Sequence, residues 1–173
     1  FIAFEYVPAP YTMFKNIYKL KPGHYLTLKE NTLRITQYWD LNGNENISYT
    51  EQDWIDSTKE LLKDSVEKRM ISDVPLGAFL SGGIDSSTVV AIMSSFSELP
   101  IKTFSIGFTE ASYDESKDAR IIAEKFNTDH HEKIVDAKEI LKIFPKVTEN
   151  LDEPFGDLSI FPTYIVSEFA RTK

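Results

Sequence analysis

The chain has 173 residues, 42% hydrophobic and 13% aromatic, and its 19 Lys and Arg against 27 Asp and Glu give a formal charge of −8. That length and apolar content suit one packed domain, or one domain with part of another, and exclude disorder, which needs low hydrophobicity. The lack of any cysteine excludes a disulfide framework, a thiolate zinc site and a cysteine nucleophile within these residues.

No run approaches the roughly 18–20 apolar residues of a membrane span, and no charged-then-apolar leader opens the chain. The acidic excess argues against a nucleic-acid phosphate surface, whose affinity comes from clustered Lys and Arg. A cytoplasmic protein with neither membrane nor nucleic acid as partner is the expectation. The chain opens FIAFEYVPAP without an initiating Met and stops at SEFARTK inside a helical pattern. Natural termini usually lie beyond the last packed element, so a piece of a longer protein is expected.

Residues 1–50 hold five Lys or Arg and four Asp or Glu, a charge of +1, which leaves −9 for residues 51–173. Tyr25–Leu28 and Leu33–Trp39 flank the polar link Lys29-Glu30-Asn31-Thr32, which predicts a β-hairpin. Asn42-Gly43-Asn44-Glu45-Asn46 reads as a linker. From Thr50 the period changes. Trp54, Ile55, Thr58, Leu61, Leu62, Val66 and Met70 recur at three- and four-residue steps behind a capping-box start at Thr50 and Asp53, predicting a helix to about Ser72. A strand at Leu76–Leu80 and a helix at Asp85–Phe96 follow. Next come a strand at Lys102–Phe108, a helix at Glu115–Phe126, a strand at His131–Val135, a helix at Ala137–Glu149 and a last helix from near Phe161. Alternating strands and helices imply an α/β fold, a parallel sheet with helices on both faces.

The segment richest in chemistry is Leu80-Ser81-Gly82-Gly83-Ile84-Asp85-Ser86-Ser87, which leaves a strand and opens a helix. Ligands of such sheets bind beyond the carboxyl ends of the strands. Glycines let the backbone turn and approach a ligand, the helix start presents unpaired N–H groups, and Ser81, Ser86 and Ser87 add hydroxyl donors. The arrangement suits phosphate oxygens. It is not a Walker A loop, because no Lys follows the glycines.

Ser81-Gly82-Gly83-Ile84-Asp85-Ser86 resembles the PP-loop of ATP pyrophosphatases, an adenine nucleotide alpha hydrolase-like fold, and the chain is similar to glutamine-hydrolysing asparagine synthetases. Tyr18–Leu26 with Tyr38-Trp39, Val74–Leu80, Phe104–Phe108, Tyr113–Glu115, His130–Glu132 and Asp152–Asp157 carry the resemblance through most of the chain. It implies that residues 1–40 end a glutaminase domain, 41–50 are a linker, and 51–173 are the N-terminal part of a synthetase domain.

The resemblance implies ATP and Mg²⁺ as cofactors. Ser81, Gly83, Asp85, Ser86 and Ser87 would hold the pyrophosphate end of ATP, with Gly82 allowing the turn. Asp85 is expected as a Mg²⁺ ligand, since two anions side by side need a cation between them. Leu80 and Ile106 would frame the adenine, although both side chains also read as ordinary strand-end core, and Gly107 would keep the strand end open. In Asp152–Asp157, Glu153 and Asp157 are the favoured catalytic carboxylates, positioning ammonia or accepting its proton. The loop also reads as a solvated acidic turn with Asp157 capping the next helix.

Adjacent histidines on a strand point to opposite faces, so His130 and His131 are expected to be structural or nucleotide-adjacent rather than a zinc site. Asp114 reads as a helix cap or a residue near the nucleotide. The implied reaction is adenylation of aspartate with release of pyrophosphate, then attack by glutamine-derived ammonia to give asparagine. Residues 1–173 alone are expected to bind nucleotide weakly and not turn over, and a homodimer stays open for the full-length protein. Two alternatives remain: another amide-forming PP-loop enzyme, such as a β-lactam synthetase or an amidotransferase, and a non-catalytic nucleotide-binding module.

Overall fold

A computed structural model describes residues 1–41, 43, 48–110, 112 and 114–173. The linker expected at 42–46, apart from Gly43, and Tyr113 lie outside the described residues. The chain forms two compact units, one of residues Phe1–Ser48 with Thr148–Leu158 and one of Tyr49–Val147 with Ser159–Lys173. Among the described residues, no helix is long and apolar enough to cross a membrane.

The first unit contains the hairpin, β1 (His24–Lys29) antiparallel to β2 (Thr32–Gln37). Lys29 pairs with Thr32, so the loop is only Glu30 and Asn31, both left-handed at φ 48° and 59°. Two left-handed central residues make the hairpin turn whose twist matches its strands. Leu26 faces Ile35 and Leu28 faces Leu33, the cross-strand apolar pairs that fix the register.

The second unit opens with α1 (Glu51–Arg69), started by the expected capping box. The Asp53 N–H donates to Thr50 Oγ1 at 3.2 Å, and the Thr50 N–H donates to Asp53 Oδ2 at 2.8 Å. Then follow β3 (Gly77–Phe79), α2 (Ile84–Phe96), β4 (Lys102–Phe108), α3 (Ser116–Lys125), β5 (Asp129–Val135), α4 (Ala137–Thr148) and α5 (Ile160–Ala170). The three strands are parallel in the order β3-β4-β5, with Ala78 level with Thr103 and His130, and Phe79 level with Phe104 and His131.

Strand pleating then divides the side chains between two faces. On one face Leu80 packs with Val90 of α2 and Ala119 and Ala123 of α3, while Ala78 also meets the cluster of Val66, Met93 and Ile101. On the other, the Phe104 ring meets Phe169 of α5 edge-on at 6.0 Å and stacks on His131 at 5.3 Å. Phe144 of α4 stacks on Phe161 of α5 at 5.4 Å on that same side. Helices α1–α3 and α4–α5 therefore cover opposite faces, the α/β layering expected from the alternation of elements. Only three residues of β3 join the ladder, although the Leu80 N–H still donates to Phe104 O at 2.8 Å.

Candidate functional site

The serine- and glycine-rich loop closes on itself between β3 and α2. The Ser86 hydroxyl accepts from the Ser81 N–H at 3.2 Å, hydrogen-bonds Ser81 Oγ at 2.9 Å and reaches the Gly83 carbonyl at 3.3 Å. Gly82 has φ +81°, and a Cβ there would stand 2.6 Å from Asp118 Cβ and 2.7 Å from the Ala119 nitrogen. The loop therefore lies directly on the first turn of α3. Gly83 caps α2 without a side chain, so the N–H groups of the first turn keep no side-chain acceptor. Ser87 Oγ is buried and has no hydrogen-bond partner among the described residues.

At the carboxyl ends of β3 and β4, a cavity of about 400 Å³ opens beside this loop, lined by α3 and the start of α5 as well. Phe79, Leu80, Ile106 and Phe108 give it apolar walls, and Ser81, Ser86, Ser105 and Glu115 supply polar atoms. In a parallel strand the backbone groups of alternate residues point to the same side. Because the Phe104 carbonyl serves Leu80, the backbone N–H and C=O of Ile106 face that same edge, beyond the last paired residue of β3. Of the residues expected to hold nucleotide, Leu80, Ser81, Ser86 and Ile106 line the cavity, whereas Gly82, Gly83, Asp85, Ser87 and Gly107 do not. Leu80 is also core, with 1% of its surface exposed.

Gly107 faces the α3 side, where a Cβ would meet Ile134 Cδ1 at 2.4 Å, Asp114 Oδ1 at 2.9 Å and Ser116 Cβ at 3.1 Å. Asp114 Oδ1 accepts from the N–H of Ser116 at 3.1 Å and of Phe108 at 3.3 Å, tying the end of β4 to the start of α3. The Ser116 hydroxyl and N–H hold its carboxyl below the usual carboxylate range. The cap position itself is Glu115.

The two adjacent histidines separate as the pleat requires. His130 hydrogen-bonds Thr103 Oγ1 at 2.9 Å through Nδ1 and Ser105 Oγ at 3.2 Å through Nε2, while His131 stacks on Phe104 across the sheet. Burial pushes the His130 imidazole below its ordinary range, against the opposing charge of Glu132. Glu132 takes a two-pronged ion pair from Arg120, at 2.7 and 2.8 Å, and hydrogen bonding to that guanidinium holds its carboxyl low.

The family model for asparagine synthase matches residues 57–173. The chain belongs to the asparagine synthase family. It is 44% identical to a putative glutamine-hydrolysing asparagine synthetase of Methanocaldococcus jannaschii, over 99% of this chain and 33% of that protein. It is 30% identical to a glutamine-hydrolysing asparagine synthetase of Bacillus subtilis, over 99% of this chain and 27% of that one. The chain thus spans about a third or less of the length of these relatives. Among solved structures, an NH3-dependent NAD synthetase from Campylobacter jejuni aligns with 70% of this chain and 53% of its own, at 22% identity and a TM-score of 0.45.

For this asparagine synthase family chain, the two favoured carboxylates fall in the first unit. Glu153 is ion-paired with Lys19, and the Gly156 N–H donates to the Glu5 carbonyl at 2.8 Å, so the acidic loop is held by the N-terminal segment. Asp157 is exposed in that loop, and the cap position of α5 falls on Ser159 rather than on Asp157. Sequence reasoning missed Lys19, Ser105 and the α5 residues Pro162 and Thr163 of the cavity wall. Only Ser105 had a local signal, as the polar neighbour of Ile106 at a strand end.

Proposed function

We propose that residues 51–173 form the nucleotide-binding part of an ATP-dependent amide-forming ligase, an asparagine synthetase, with residues 1–40 ending a glutaminase domain and 41–50 linking them. The observation that carries this reading is the closed Ser81–Ser86 loop with its uncapped helix start beside an apolar cavity, in a chain of this family. About 400 Å³ with apolar walls suits a flat heterocycle, and the Ile106 backbone edge offers a donor and an acceptor to an adenine rim. Ser81, Ser86 and the first-turn N–H groups of α2 would take phosphate oxygens. The unpartnered Ser87 hydroxyl is one more donor for such a ligand.

Mg²⁺ is held by oxygen ligands, usually one or two carboxylates together with substrate phosphates. Asp85, an exposed carboxylate in the first turn of α2, fits that role. When bound, the ion neutralises charge between the carboxylate and the phosphates. The aspartate side chain then attacks the α-phosphorus, forming β-aspartyl-AMP and releasing pyrophosphate, and ammonia from glutamine displaces AMP. Positioning by fixed donors is the main contribution of the protein to the first step. Glu153 and Asp157 are the carboxylates proposed for handling the ammonia proton. The setting is cytoplasmic, and a homodimer is one assembly the full-length protein can take.

The deciding measurement is pyrophosphate release from ATP by the full-length protein. Release that depends on aspartate, and that Asp85→Ala abolishes, is expected. Release that ignores aspartate would transfer the reading to another amide-forming enzyme, and unchanged ATP binding and activity in Asp85→Ala would refute the assignment of the loop.

A further inference from the structure

A chain of polar side chains runs between β4 and β5 and ends at the cavity. Thr128 Oγ1 lies 2.8 Å from Thr103 Oγ1, which lies 2.9 Å from His130 Nδ1, and His130 Nε2 lies 3.2 Å from Ser105 Oγ. Thr103 is fully buried and Ser105 is 5% exposed, yet Ser105 is part of the cavity wall. Its side chain shares a face of β4 with Gly107, where a Cβ would meet Ser116 of the same wall.

Donors and acceptors along this chain are filled everywhere except at its cavity end. A neutral imidazole donates through one ring nitrogen and accepts through the other, so His130 is fully engaged by Thr103 and Ser105. Thr103 is engaged twice, by Thr128 and by His130. A hydroxyl offers one donor and two acceptor positions, and among the described residues the Ser105 hydroxyl meets only the imidazole. It is the member of the chain with capacity left for a ligand in the cavity.

The ring that holds it stays neutral near pH 7. Burial lowers the His130 pKa against Glu132 beside it on β5, while His131 and Arg120 of α3 act in the same direction as burial. Glu132 is in turn paired with Arg120. His130 is therefore an uncharged spacer, anchored at Thr103, that fixes which way the Ser105 hydroxyl faces.

We propose that the Ser105 hydroxyl contacts the nucleotide and that His130 is the positioning residue that holds it for that contact. This rests on the proposed binding of an adenine nucleotide in the cavity. A donor or acceptor fixed beforehand binds without the cost of ordering it.

The test is calorimetric titration of the full-length protein and its variants with Mg-ATP, with thermal melting of each. Ser105→Ala is expected to weaken binding about three- to tenfold, the share of one hydrogen bond. Substitutions of His130 separate the two ring nitrogens, since Gln carries a polar group where Nε2 stands and Asn one where Nδ1 stands. His130→Gln is expected to bind within about twofold of the parent, and His130→Asn to lose as much as Ser105→Ala. In a Ser105→Ala background, His130→Asn adds less than about twofold, because the two residues act as one unit. A merely structural histidine gives no such split between Gln and Asn. If a His130 variant fails to fold, nitrogen NMR of the histidine rings decides. Adenosine, which has no charge, is expected to shift the His130 Nε2 resonance in the parent and not in Ser105→Ala. Lack of ATP binding by the parent overturns the nucleotide reading and this inference with it. Undiminished binding in Ser105→Ala overturns the inference alone, as do equal affinities of the Gln and Asn variants, losses that multiply in the double variant, or an unmoved Nε2 resonance in the parent.

Discussion

Adjacent glycines in the loop between β3 and α2 are expected to respond very unequally to the same methyl group. At Gly82 the backbone is left-handed at φ +81°, which costs an L-residue about 1–2 kcal/mol. The added Cβ would also stand 2.6 Å from Asp118 Cβ, against 3.4 Å for ordinary contact, so the loop or α3 must yield by the difference of 0.8 Å. Overpacking of that kind costs about 1–3 kcal/mol. Gly82→Ala should therefore destabilise the α/β unit by about 2–5 kcal/mol, or on the order of 10 °C in melting temperature. At Gly83, φ is −67° and the Cβ would meet only Ser81 Oγ, at 3.4 Å. Gly83→Ala should stay within about 0.5 kcal/mol of the parent. Urea and thermal unfolding give the stabilities, and calorimetric titration with Mg-ATP gives the affinities. Gly82→Ala should also lose about tenfold or more in nucleotide affinity, since the donors move with the loop. Equal effects at the two positions, or a neutral Gly82→Ala, would refute the packing of this loop on α3.

Ser87→Ala should leave stability unchanged or raised by up to about 1 kcal/mol, because a buried hydroxyl without a partner is removed, yet weaken Mg-ATP binding measured by the same titration. Thr50→Ala removes the hydroxyl that accepts from the Asp53 N–H, leaving the Thr50 N–H to Asp53 arm in place, and should cost about 1 kcal/mol in urea unfolding. The His130 pKa is lowered in the fold from 6.5, so below that value the unfolded chain binds the extra proton first, and stability is lost as pH falls through 6.5 toward the folded value and is fully present above it. The urea midpoint should drop between about pH 7.5 and about pH 5.5, and His130→Gln should flatten that part of the profile. Chelating Mg²⁺ with EDTA should weaken ATP binding about tenfold or more, read by equilibrium dialysis, because the phosphate charge then meets only backbone dipoles and hydroxyls.

The parts of the fold legible in sequence are those whose cause is local. The loop after β3 closes through Ser81 and Ser86, five residues apart, and the capping box spans Thr50 to Asp53, so each motif carries its own geometry. The strand β4 was readable because Phe104, Ile106 and Phe108 alternate with Thr103, Ser105 and Gly107, and the opposed histidines followed from the pleat alone. The hairpin was readable as a hairpin, but its tight turn was not, since Glu30 takes a left-handed conformation with no glycine to announce it. The partner of Glu153 was invisible for a different reason. Lys19 lies 134 residues away in the chain, and a single lysine among +1 of charge in residues 1–50 has no periodic signature.

The same charges bear on how an acidic chain can hold a polyanion. Among the described residues lining the cavity there is no Lys or Arg, and Glu115 adds a carboxylate. Arg120, on the neighbouring helix, is already committed to Glu132 and to the Ser116 hydroxyl. What remains is the start of α2, whose dipole amounts to about half a positive charge and acts only over its first turn. That is too little for a triphosphate bearing about four negative charges, since each unpaired charge taken out of water costs several kcal/mol. In the proposed function, the loop would therefore orient phosphates whose charge is balanced by something else. The divalent ion proposed at Asp85 would supply part of that balance.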